Sequence, residues 1–219
     1  MVCKKISMVS EYFFIEYDKS LMYMDEVIEY LKTKIFEIMS FFSLDKLKCN
    51  KKIVIWNDLE KYKEHIEKYY PYQDFMCADT NDGNINILSL EQAHLTLEHS
   101  NMTIEDLKSI IVHEFVHVCH QDCEIMPLEN DIVWFWEALA TNLGNPEDFQ
   151  EIVIDVSFDC LEDFNNLKNN YQIAYTIGRY MLENYSYEMI LEYIKYPQIL
   201  FDNSNSIIIA AKEWSLKNK

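Results

Sequence analysis

With a net charge of −18 over 219 residues, the chain has no basic face to offer a phosphate backbone, so nucleic acid is not expected as a partner. Its 49% hydrophobic content can fill one substantial core, and no Pro/Gly/Ser-rich linker divides it. Six scattered cysteines (Cys3, Cys49, Cys77, Cys119, Cys123, Cys160) lack disulfide-scaffold spacing, no apolar run is long enough to span a membrane, and Ser10, Glu11 and Glu16 interrupt any signal-peptide core after Lys4 and Lys5, so a cytoplasmic monomer away from membranes is expected.

In chain order, the first expected element is a strand over Glu11–Asp18, rich in Tyr12, Phe13, Phe14 and Ile15. From Leu21, apolar Met24, Ile28, Leu31, Ile35, Ile38 and Phe42 recur at threes and fours with Asp25, Glu26, Glu29 and Lys32 between them, the pattern of an amphipathic helix packed on a sheet. Lys52–Trp56 reads as a second strand and Asn57–Glu60 as a helix start. Pro71–Gly83 reads as a strand ending in the Asn81-Asp82-Gly83 turn, which leads into a short strand at Ile85–Leu88.

The next helix carries the chemistry. Thr103 with Asp106 three positions on supplies a capping signal, after which Ile104, Leu107, Ile111, Phe115 and Val118 form one apolar stripe. His113 and His117, in His113-Glu114-Phe115-Val116-His117, fall about 40° apart on a different face at 100° per residue. This HExxH spacing points to a hydrolytic zinc site, with two imidazoles converging on the ion and Glu114 beside them as general base.

A catalytic zinc takes three protein ligands and keeps a fourth position for water, so a third ligand is needed. A third histidine on the same helix would require Gly at 120 and His at 123, where this chain has His120 and Cys123. The other scheme brings a carboxylate from a second helix, and Glu137 sits among Trp134, Phe135, Ala138, Leu139 and Ala140, an apolar setting in which a lone carboxylate calls for a cation. Cys119, His120 and Cys123 lack the second pair that a structural zinc cluster requires, and Thr141, one turn after Glu137, is a candidate to orient a ligand.

Beyond Asn145-Pro146 the pattern turns helical, with Tyr171, Tyr175, Gly178 and Leu182 marking one helix and Met189–Ile194 another. Peptide hydrolysis needs a donor for the developing oxyanion, and all six histidines lie at or before position 120, so a tyrosine hydroxyl is the expected substitute.

HEFVH followed by Trp134-Phe135-Trp136-Glu137-Ala138-Leu139-Ala140 resembles the gluzincin metallopeptidases, whose third-ligand helix reads W-L-x-E-G-x-A; this chain departs from it by Phe135 and Ala138. The order of elements over residues 10–196 is similar to the small, minigluzincin-type members. The resemblance implies an α+β, zincin-like metallopeptidase fold: a small mixed sheet with an edge strand plus helices in one lobe, a mostly helical second lobe, and zinc in the cleft between. Residues 1–121 and 122–219 would supply the lobes of one catalytic unit.

It further implies that the edge strand lines the cleft, making Asn86, Ile87 and Leu88 substrate contacts, and that Tyr171, or Tyr175 as second choice, assists catalysis. The expected function is zinc-dependent hydrolysis of peptide or protein substrates, endo- or oligopeptidase in type, with His113, His117 and Glu137 as ligands. The Gly-Met-rich strand motif of related aminopeptidases is not visible. The alternative expectation is a catalytically silent, zinc-stabilised binding or regulatory module; the intact Glu114 weighs against it, since a structural metal has no use for a base.

Overall fold

The computed structural model describes residues 4–11, 13–69, 71–73, 76–80, 82–125, 132–144, 152, 164 and 169–218. Tyr12 of the expected first strand, Asn81 of the expected turn, the Asn145-Pro146 step, Cys3 and Cys160 lie outside the described residues. Among the described residues the fold is α+β, with one five-stranded mixed sheet and eight helices. The chain forms two compact units, Met1–Val118 and Cys119–Lys219.

The first unit opens with a hairpin. β1 (Lys4–Ser10) pairs antiparallel with β2 (Phe13–Asp18), their register shifting between Met8 and Ser10. β1 precedes the strand expected from sequence. The crossover helix α1 (Met24–Phe41) then returns the chain so that β3 (Lys51–Trp56) lies parallel to β2, with Met24, Ile28, Leu31, Ile35 and Ile38 buried as the period requires.

Asp58 caps α2 (Leu59–Ile66), accepting from the Lys61 amide at 3.2 Å. β4 (Ala78–Asp79) and β5 (Ile85–Leu88) make a second hairpin, turned at Gly83, whose φ of +77° is a conformation that glycine adopts without strain. Two helices complete the unit's elements, α3 (Leu90–Ala93), capped by Ser89, and α4 (Ile104–Cys123), whose last turn belongs to the second unit.

The strand order β1-β2-β3-β5-β4 corrects one expectation. β5 is not an edge strand: it runs parallel to β3 on one side and antiparallel to β4 on the other. The segment before the Gly83 turn folds back and takes β5's outer backbone, pairing Ala78 with Ile87 and Asp79 with Asn86, while the Leu88 amide donates to the Cys77 carbonyl at 2.9 Å. Asn86, Ile87 and Leu88 are all buried, and the Asn86 side chain is taken up by Trp56 Nε1 (3.1 Å) and Asp82 Oδ1 (3.0 Å). The edges of the sheet are β1 and the two-residue β4.

The second unit is helical: α5 (Val133–Leu143), α6 (Asn170–Asn184), α7 (Tyr187–Lys195) and α8 (Pro197–Lys217). α6 packs against both α5 and α8, with Ile177 and Met181 of α6 and Ile207 and Ala211 of α8 buried. Pro197 sits in the first turn of α8, where its missing N–H has no intrahelical partner to lose. Among the described residues no helix is long and apolar enough to cross a membrane.

Candidate metal centre

The helix carrying HExxH is set in place by its own sequence. Thr103 and Asp106 cap one another, the Thr103 amide donating to Asp106 Oδ2 at 2.6 Å and the Asp106 amide to Thr103 Oγ1 at 3.2 Å. Leu107, Ile111, Phe115 and Val118 are buried, while Ile104, expected on the same stripe, is half-buried. Phe115 meets Phe13 of β2 edge-on at 4.8 Å, and Lys108 Nζ donates to Glu26 of α1 and to Glu105, both at 2.7 Å. These contacts fix the rotation of α4 and leave His113, Glu114 and His117 half-buried, off the core face.

On that face the two imidazoles converge. His113 Nε2 and His117 Nε2 stand 3.2 Å apart, their rings 4.9 Å between centroids and inclined by 79°. Two nitrogens bound at about 2.0–2.1 Å to one tetrahedral ion would be about 3.3 Å apart, so the spacing fits a shared ligand. One ligand atom from each of His113, His117 and Glu137 lies within 4.8 Å of the others, a group that could hold a metal ion. Two imidazole nitrogens and one carboxylate oxygen suit a borderline divalent cation and leave coordination positions open.

Glu114 is placed by a different neighbour. Burial pushes the Cys77 thiol up to about 12, and the Glu114 carboxylate nearby adds to the shift.

Glu137 is half-buried on α5, between buried Phe135 and Ala138. Thr141 does not orient its carboxylate in the way expected: the hydroxyl donates to the Glu137 backbone carbonyl at 2.7 Å, a bond internal to the helix that satisfies a buried threonine. α5 is instead held from α6. Asn142 Nδ2 donates to the Ala138 carbonyl at 2.8 Å and to the Tyr175 carbonyl at 3.0 Å, and Gly178 faces the Ala138 backbone so closely that a Cβ there would sit 2.4 Å from the Ala138 oxygen.

Both candidate tyrosines lie on α6. Tyr171, in its first turn, is 47% exposed, whereas Tyr175 is 8% exposed and has its carbonyl tied to α5 through Asn142. Tyr171 is the more solvent-accessible of the two.

Cys119 and Cys123 are both buried. Burial first, then Cys123 and Asp122, hold the Cys119 thiol well above its ordinary value, which disfavours the thiolate a metal would need. His120 is the residue whose place the sequence left unassigned. It is 3% exposed, and its ring stands edge-on to Phe135 at 5.4 Å and 89° and to Trp136 at 5.7 Å and 73°. The signal available in sequence was only its period: three positions after His117 and aromatic. No protein-family model, curated protein or solved structure matches the chain.

Proposed function

We propose that the chain is a zinc-dependent metallopeptidase of endo- or oligopeptidase type, acting in the cytoplasm on peptide or protein substrates. The observation that carries the proposal is the convergence of His113, His117 and Glu137, with Glu114 next in sequence to the first ligand. Two histidines and a glutamate are a zinc-hydrolase donor set, and a general base at HExxH position two serves hydrolysis rather than structure. Bound there, zinc would supply Lewis acidity, polarising the scissile carbonyl and making water more acidic.

The chain's own residues supply the remaining functions. Glu114 takes a proton from the attacking water and passes it to the leaving amine. The Tyr171 hydroxyl donates to the carbonyl oxygen as negative charge develops there, with Tyr175 as the second choice.

Replacement of Glu114 by Gln keeps the size and hydrogen-bonding capacity of the side chain and removes the base. Zinc content should stay at the wild-type level while cleavage of a quenched fluorescent peptide library falls by about 10²–10⁴. Equal turnover in the variant would reject the assignment, and a wild-type chain that binds zinc yet cleaves no peptide would favour the binding module instead.

A further inference from the structure

The geometry points to His120 as a positioning residue that sets the direction in which the Glu137 side chain leaves α5; the inference rests on the metal-site proposal above. The three histidines share one continuous helix, with His120 one turn beyond His117. Its ring, 3% exposed, meets the rings of Phe135 and Trp136, the two residues immediately before Glu137, in near-perpendicular contacts of 5.4 and 5.7 Å. Edge-to-face contacts have a preferred angle and distance, so they specify an orientation where a plain apolar contact would specify only proximity.

The consequence follows from helix rigidity. A side chain that fixes positions 135 and 136 fixes the direction in which position 137 leaves the helix, because successive residues are related by a constant rotation of about 100°. α5 is also gripped by Asn142 and by Gly178 at Ala138, about two turns and one turn from Phe135. His120 thus contacts the two residues immediately before the carboxylate ligand, and its aromatic shape is what the role requires.

The test is zinc affinity of the full chain, measured by competition with a chromogenic chelator, beside thermal unfolding of the metal-free proteins. His120→Ala should weaken zinc by about 10–100-fold, the range for losing support behind a metal ligand. His120→Phe, which keeps a ring in place, should remain within about threefold of wild type, and His120→Leu, which keeps apolar bulk without the ring, should fall between. Ile207→Ala, in the buried part of α8, supplies a matched loss of stability and should leave zinc affinity unchanged.

Equal affinity across Ala, Leu and Phe at position 120 overturns the inference, as does an equal weakening by Ile207→Ala. If the alanine variant does not fold, the Phe-versus-Leu comparison decides in the same way. A wild-type chain that fails to bind zinc rejects the metal site itself, which separates that failure from failure of the positioning role.

Discussion

Gly178→Ala should destabilise the protein even though alanine is the better helix former. At this position an added Cβ lies 2.4 Å from the Ala138 carbonyl oxygen and 3.0 Å from its carbon, against 3.4 Å where ordinary contact begins. The obstacle is backbone, so α5 and α6 must separate by roughly 1 Å, an overpacking that costs about 1–3 kcal/mol. The same Cβ lies 2.4 Å from Asn142 Nδ2, whose hydrogen bond to the Tyr175 carbonyl joins the helices, and losing that bond adds about 1 kcal/mol.

Against this stands a helix-propensity gain of about 1 kcal/mol for Gly→Ala. The net is a loss of about 1–3 kcal/mol, or a fall in Tm of roughly 2–12 °C for a chain of this size. Thermal unfolding of the metal-free protein followed by circular dichroism measures it. An unchanged or higher Tm would refute the reasoning, because it would mean that the close approach of the helices carries no steric cost and that propensity decides the sign.

Two other outcomes are expected. Zinc at about 100 times its Kd should stabilise the wild-type chain by about 2.7 kcal/mol, and Glu137→Ala should remove most of that increment in a thermal shift; an increment of wild-type size would exclude Glu137 as a ligand. Glu16 is held below the usual carboxylate range by hydrogen bonds from Lys4 and Lys52, a bridge joining β1, β2 and β3, so its contribution is present above the unfolded carboxyl pKa and lost as pH falls through the lower folded value. The stability difference between wild type and Glu16→Gln in urea titrations should therefore shrink as pH falls below about 4.5, and a difference independent of pH would contradict the assignment.

How much of this was legible in the sequence depended on whether the deciding interactions were local. The cap at Thr103, the stripe on α4, the burial of α1 and the turn at Gly83 all follow from residues within a turn or two of one another. β1 was missed because exposed Ile6 and Met8 alternate with Lys5 and Ser7, so its apolar positions carry no core pattern. The place of β5 could not be read, because its outer neighbour is two residues long and has no periodicity to detect. α8 was hidden by Pro197 and the polar run Asp202–Ser206, whose helical state depends on packing against α6 and α7.

The centre shows the same division. Glu137 was identifiable because a carboxylate among buried aromatics needs an explanation, whereas His120 served only to reject a third-histidine scheme, since its ring contacts arise from a second helix. Among 15 tyrosines, Tyr171 and Tyr175 were singled out by the resemblance alone, and the difference in their exposure is a tertiary property.

The departure from W-L-x-E-G-x-A at Ala138 looks, in one dimension, like the loss of a close-packing site beside the carboxylate. In three dimensions, close approach of two helices requires a missing side chain on only one of them at the crossing point. Gly178 supplies it from α6, directly against the Ala138 backbone, and Asn142 occupies the remaining polar positions at that crossing. An alanine after Glu137 is then accommodated at the crossing, and the two positions should be uncoupled: glycine at 138 should do little for Gly178→Ala, since the clash is with the backbone of residue 138 and not with its methyl group.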